Sequence, residues 1–185
     1  LAKFAPGGKV DLGTPHGYYD KRYMHPDVVV AGGGPAGLSA AIAAANAGAS
    51  VILLDHENAA GGHLLWGSDE DRAAAADLIT AAEAAGVEIL ENTTVTGRYE
   101  DNWISIVQRS HDISMERLIK ARAKVLVVAA GTIERPYVFA GNDIPGVMTS
   151  GAVRRLINMY GVKPGTKAVV LTANESGDGA ADDLH

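Results

Sequence analysis

The stretch Asp27-Val28-Val29-Val30-Ala31-Gly32-Gly33-Gly34-Pro35-Ala36-Gly37 decides the fold of this 185-residue chain. Its first five residues form a short β-branched apolar run, the pattern of a strand buried on both faces. The glycine loop opens directly into an alanine-rich helix expected over residues 38–47 and stopped by Gly48. Ser50-Val51-Ile52-Leu53-Leu54-Asp55 is then a second buried strand. Strand, helix and strand fit within about thirty residues, the size of a βαβ unit with an expected right-handed crossover.

Further out, Ser68-Asp69-Glu70-Asp71 resembles a capping box ahead of a helix over residues 73–85, closed by Gly86. Residues 87–90 are a third strand candidate. Between residues 93 and 108, β-branched and polar residues alternate around a turn at Glu100-Asp101-Asn102. That alternation predicts a small antiparallel meander inserted into an α/β domain. Residues 116–124 are basic and read either as helical or as extended. Val125-Leu126-Val127-Val128-Ala129-Ala130-Gly131 returns to a buried parallel strand ending in glycine. Residues 152–160 are an expected helix ended by Gly161, and residues 168–171 the strand of another unit. The expected organisation is a linker or arm over 1–26 and a Rossmann-like FAD/NAD(P)-binding domain with a parallel sheet over 27–165. The start of a truncated following unit occupies 166–185. A first residue of Leu1 rather than methionine reads as a piece of something longer.

The chemistry lies in the loop. Gly32, Gly34 and Gly37 form G-x-G-x-x-G between a strand and a helix, the context that gives this motif meaning. Gly32 permits a tight turn, Gly34 lets backbone approach a pyrophosphate, and Gly37 allows close packing of helix on strand. Pro35 and Ala36 complete the candidate cofactor loop at a helix N-terminus, whose unpaired N–H groups favour phosphate. Asp55 ends the second strand roughly twenty residues on, the spacing of a carboxylate that accepts hydrogen bonds from an adenosine ribose. A carboxylate there repels the 2′-phosphate of NADP, and no arginine follows it to reverse that preference. Gly61-Gly62-His63 either folds back across the dinucleotide or makes a plain turn. Ala130 and Gly131 end a later strand at the carboxyl edge of the sheet, where ligands bind in open α/β sheets.

Composition narrows the classes. Hydrophobic residues make up 47% and charged residues 21%, which suits a packed core. Sixteen basic residues against 22 acidic ones give a net charge of −6, so no nucleic-acid partner is expected. The chain has no cysteine, which removes disulfides, cysteine-ligated metals and a Cys-x-x-Cys redox centre from it and suits a cytoplasmic setting. No run of about eighteen apolar residues escapes a charge or a turn residue, so no membrane span is expected.

Together, residues 28–37 and Leu54-Asp55-His56-Glu57-Asn58-Ala59-Ala60-Gly61-Gly62 resemble the two-dinucleotide-binding flavoprotein superfamily. A more specific run is Ala130-Gly131-Thr132-Ile133-Glu134-Arg135-Pro136, followed by Phe139-Ala140-Gly141-Asn142-Asp143-Ile144-Pro145-Gly146-Val147-Met148. It is similar to the alpha subunit family of heterotetrameric sarcosine oxidase, and Tyr160-Gly161-Val162-Lys163-Pro164-Gly165 continues the similarity. The resemblance implies an amine oxidoreductase with beta, gamma and delta subunits as partners. It also implies sarcosine oxidation at a flavin held by the beta subunit, and FMN at a subunit interface. The alpha subunit's own site is then an NAD site whose ligand is bound rather than turned over, with FAD the other cofactor such a fold takes. Carried onto this chain, the contacts fall on residues 32–37, on Asp55, His56 and Glu57, and on His63 and Val95. The family often has a second acid where this chain has His56. Alternative readings are an FAD domain of a proline, hydroxyproline or cyanide-forming glycine dehydrogenase, or a non-catalytic nucleotide-binding scaffold. The tail from Gly177 departs from the family pattern.

No residue is assigned as a catalytic acid, base or nucleophile. His16, His25, His56, His63, His111 and His185 form no metal-binding spacing, and Gly-x-Ser-x-Gly is absent. Arg135 suits an anion or a surface ion pair, and Trp66 suits a cofactor or subunit surface or core burial.

Overall fold

The computed structural model describes residue 13 and residues 17–111, 114–174 and 177–185. His16, the Glu175-Ser176 pair and most of the expected arm over 1–26 lie outside the described residues. In chain order the strands are β1 (Tyr19–Met24), β2 (Val28–Ala31), β3 (Val51–Leu54), β4 (Glu88–Leu90), β5 (Thr93–Arg98), β6 (Trp103–His111), β7 (Ser114–Arg122) and β8 (Val125–Val128). The helices are α1 (Pro35–Asn46), α2 (Asp69–Ala84), α3 (Ser150–Asn158) and α4 (Asp178–Asp183).

Two sheets result. A parallel sheet runs β4-β3-β2-β8, with Val28 of β2 aligned on Val51 of β3 and on Val125 of β8. The second sheet runs β1-β7-β6-β5; β5 and β6 form the antiparallel pair expected over 93–108, β7 extends it antiparallel to β6 into a three-stranded meander, and β1 lies parallel to β7.

Side-chain alternation along β2 and β3 sorts their residues into two cores. Val29, Ile52 and Leu54 meet Ile104, Ile106, Ile119 and Ala121 of the meander sheet. Val28, Val30, Val51 and Leu53 meet Leu38 and Ala41 of α1 and Ala82 of α2. The molecule is therefore layered as helices, parallel sheet, meander. Both faces of β2 and β3 are covered, which is why their sequences are apolar without interruption.

The helix boundaries follow local chemistry. Pro35 starts α1 a little before the alanine run, because its fixed φ and missing N–H suit the first turn. The expected capping box at α2 is present: the Asp71 N–H donates to Ser68 Oγ at 3.1 Å, and the Ser68 N–H donates to Asp71 Oδ2 at 2.8 Å. The hydrogen bond from the Ser68 backbone is the main cause holding the Asp71 carboxyl below its ordinary value.

Three stretches differ from the sequence reading, and a fourth settles between its two alternatives. Tyr19–Met24, placed in the arm, is a strand pairing with β7 and burying Met24 against the meander core. Residues 116–124, open between helix and strand, lie mostly in β7, where Ile119 and Ala121 point inward and Lys120 and Arg122 outward. β8 is parallel as expected but is an edge strand, with Val125 50% and Val128 69% exposed, because among the described residues only β2 lies beside it. Residues 168–171 are not a strand; they pair with no sheet among the described residues, and Val169 is 99% exposed. The tail that departs from the family pattern forms α4.

Candidate functional site

The glycine loop joins β2 to α1 at the carboxyl edge of the parallel sheet. Gly32 has φ +111°, and a Cβ there would collide with the Ala129 carbonyl oxygen. A Cβ on Gly37 would fall into the Gly32 carbonyl oxygen, with Ala129 Cβ also 3.4 Å away. Both obstacles include backbone and cannot move aside. Gly34 differs. It caps α1 at φ −71°, and the one atom near its vacant Cβ position is Gly62 Cα at 3.9 Å. Gly32 and Gly37 are thus needed to form the turn, whereas Gly34 keeps its outer side open. Backbone at that opening, at the head of a helix, is what a pyrophosphate requires.

The Gly61-Gly62 turn folds back onto this loop. The Gly61 N–H donates to the Gly33 carbonyl at 2.8 Å, and a Cβ on Gly62 would lie 2.8 Å from Gly34 Cα. Gly61 and Gly62 have φ of +133° and +59°, so glycine serves both conformation and approach here. His63 follows in a 3-10 turn, Gly62–Trp66, and its exposed ring meets Trp66 edge-on with centroids 6.3 Å apart. Trp66 also receives the Arg154 guanidinium over its ring and the Asn158 amide on its carbonyl, so it joins this turn to α3.

Asp55, which its spacing placed at the ribose, faces into the loop. It is 4% exposed, and its carboxylate turns back into the loop. The Gly33 N–H donates to Oδ2 at 2.6 Å and the Glu57 N–H donates to Oδ1 at 2.9 Å. Hydrogen bonds to a charged acceptor are worth about 1.5–3 kcal/mol each, so this carboxylate pins the glycine loop to the end of β3. The outward-facing neighbour is His56, whose side chain is 68% exposed. Its Nδ1 lies 3.5 Å from Asp55 Oδ1 and its Nε2 3.2 Å from Glu57 Oε1. Glu57 in turn is ion-paired with Arg155 of α3. Burial is the largest single influence on Arg155 and opposes its charge, but the hydrogen bonds to Glu57 and Tyr160 and their electrostatic attraction together outweigh it and raise the guanidinium above its ordinary value.

Val95 lies in β5, where its side chain packs against the core between the sheets. The strand reaches the site at Thr93, whose N–H donates to the Asp55 carbonyl at 2.7 Å. Ala130 and Gly131 follow β8 and are exposed, with Gly131 at φ +73°. The residue of that strand end that walls the loop is Ala129, whose N–H donates to the Ala31 carbonyl at 2.8 Å. Beyond it, Glu134 caps α3: Ser150 N–H and Oγ–H donate to its Oε1 at 3.0 and 2.6 Å, and the Gly151 N–H donates to Oε2 at 2.8 Å. Partial burial pushes the Glu134 carboxyl upward, yet these donors prevail and hold it below the ordinary glutamate value.

Ala129 and Arg155 were missed in the sequence. Ala129 sat within the quoted strand end but carries no chemical signal, and Arg155 is 98 positions from its partner Glu57.

Comparison with known proteins bears on the family and the fold. Residues 26–172 match the family model described as pyridine nucleotide-disulphide oxidoreductase. The chain is 43% identical over 185 residues to sarcosine oxidase subunit alpha of Corynebacterium sp. (strain P-1), covering 91% of this chain and 19% of that protein. It is 40% identical over 192 residues to sarcosine oxidase subunit alpha of Rhizobium meliloti (strain 1021), covering 96% and 19%. The chain thus spans about a fifth of the length of these relatives. Among solved structures, L-proline dehydrogenase from P. horikoshii superposes with a TM-score of 0.77 at 24% identity, over 89% of this chain and 34% of that one. This likeness bears on the fold. The expected similarity to sarcosine oxidase alpha subunits therefore holds, and so does the α/β dinucleotide-binding fold.

Proposed function

The chain belongs to the pyridine nucleotide-disulphide oxidoreductase family, and from that premise we propose that residues 32–37 bind NAD within a sarcosine-oxidase-like amine oxidoreductase. The observation that carries this reading is the contrast within the glycine turn. Gly32 and Gly37 are closed in by backbone, while Gly34 leaves an open approach at the head of α1. The fit with a dinucleotide is good: a Cβ at Gly34 would fill the space its pyrophosphate needs.

In this reading the chain's own residues bind and orient. The N–H groups at the start of α1 meet the pyrophosphate, and the Gly61-Gly62 turn covers it from above. Asp55 holds Gly33 in place, and the end of β3 faces the adenosine ribose. When bound, a nicotinamide dinucleotide supplies a hydride-accepting ring, though in the sarcosine oxidase family reading it stays bound without turnover. Amine oxidation then belongs to a flavin on a beta subunit, with gamma and delta subunits and an interfacial FMN completing a cytoplasmic assembly.

The test is to denature the complete protein and identify the released nucleotides by mass spectrometry. NAD among them supports the reading. Flavin without NAD contradicts it and assigns residues 32–37 to FAD.

A further inference from the structure

Resting on the multi-subunit reading above, we infer that the outer face of the meander sheet is a docking face, and that its occupant is an acidic surface of a partner subunit. Strand alternation decides which side chains stand on this face. Ile104, Ile106, Ile119 and Ala121 point into the core, so the residues between them point out. The register then sets Leu118 beside Val107 and Lys21, and Lys120 beside Tyr23. Val107 and Leu118 are half-buried, and with Tyr19, Lys21 and Glu116 they line a depression of about 140 Å³.

Charge sets the chemistry of the occupant. The chain as a whole carries −6, yet among the described residues this face sets Lys21, Lys120, Arg122 and Arg109 against the acid Glu116. Glu116 lies 3.6 Å from Arg109, and Asp101 of the turn between β5 and β6 lies 3.5 Å from Arg122. Both pairs are long and exposed, so they compete weakly with an incoming carboxylate. The ion pairs among the described residues include neither Lys21 nor Lys120. Lys120 instead lies over the Tyr23 ring at 5.8 Å, as Arg122 does over Trp103. Cations held on rings in this way are placed before a partner arrives. The aromatic content favours a protein over a polyanion: Tyr19 and Tyr23 are 61% and 60% exposed, and Tyr, Trp and Arg are the side chains enriched at protein interfaces. A long polyanion would also meet the acidic remainder of the chain. A carboxylate set against Lys21 acts within a few ångströms, inside the roughly 8 Å screening length.

The experiment treats the complete protein, with the subunits that purify alongside it, with a carbodiimide that joins lysine amines directly to carboxylates in contact. Mass spectrometry identifies the joined peptides. The expected links run from Lys21 or Lys120 to an Asp or Glu of another subunit. The K21E/K120E variant should then lower subunit affinity at least about tenfold, and added salt should weaken the wild-type assembly. Both lysines are exposed, so the variant should keep the wild-type melting temperature. Replacing the linked carboxylate of the partner by lysine should restore assembly with the variant. Links only within this chain, with K21E/K120E assembling like wild type, overturn the inference and leave the subunit reading standing. Links to a second copy of this chain, or nucleic acid retained by wild type and lost from the variant, overturn the partner subunit as occupant. A complete protein that purifies without other subunits overturns the assembly reading and this inference with it.

Discussion

In the parallel layer, Val29, Val30 and Leu53 are completely buried and Leu54 is 1% exposed, whereas beyond β8 Ile133, Val138 and Val169 are 93%, 95% and 99% exposed. The two regions hold their shape by different means. Through β2 and β3 the chain is fixed by continuous apolar packing on both faces of a sheet. Beyond β8, position is set by separate polar clasps: Glu134 on the head of α3, Arg155 on Glu57, Asn158 on the Trp66 carbonyl, and Arg154 on Asp183. The glycine loop sits where the two regimes meet. Its turn is dictated by packing, and the end of β3 beside it is flanked by a clasp. Errors in the first region should therefore cost global stability, and errors in the second should cost local placement.

The largest effect falls on the turn. Gly37→Ala places a Cβ in the Gly32 carbonyl, and backbone offers no relief. The expected loss is about 3 kcal/mol or more, read as a lower melting temperature with nucleotide binding gone. A G37A protein that melted like wild type would show that the turn is not packed as described. Next is Asp55→Ala, which strands the Gly33 and Glu57 N–H groups at a buried site. About 2–3 kcal/mol of stability and NAD affinity should fall together. Weaker binding with unchanged melting would instead make Asp55 a ribose ligand, and the pin would be refuted.

How far the sequence could lead follows the same divide. The βαβ unit, the capped second helix and the meander turn were legible because each is written in neighbouring residues: a β-branched run, a capping box, a period of two. The role of Asp55 was not legible. Spacing from the glycines identifies the end of the strand, but only the fold shows that its carboxylate bends back to Gly33 and leaves His56 outside. β8 looked doubly buried from composition alone, since an apolar run does not reveal whether a strand lies on one side or both. Residues 168–171 had the same apolar character without a sheet partner among the described residues. Arg155 reaches the site through α3, and no local pattern encodes that.

The clasps give smaller effects. Glu134→Gln weakens the cap on α3 and should cost about 1 kcal/mol, measured by chemical denaturation. The Glu134 carboxyl titrates below its ordinary value when folded, so its contribution is present above the unfolded glutamate range. It fades as pH falls through the lower folded value, and E134Q should lack that acid-side loss. Equal acid sensitivity in E134Q and wild type would assign it to another carboxylate. Smallest is Arg155→Met, which breaks a partly exposed pair and should cost under about 1 kcal/mol. Its mark is local: faster amide exchange in α3 with the parallel layer unchanged.

The central claim is that Gly34 serves the ligand while Gly32 and Gly37 serve the fold. Gly34→Ala tests it most directly, by NAD titration and thermal melting of the same preparation. The variant should melt within about 1 kcal/mol of wild type, the cost of alanine at a helix N-cap, and bind NAD at least about tenfold more weakly. Undiminished NAD binding by G34A would contradict the assignment of this loop as the pyrophosphate site.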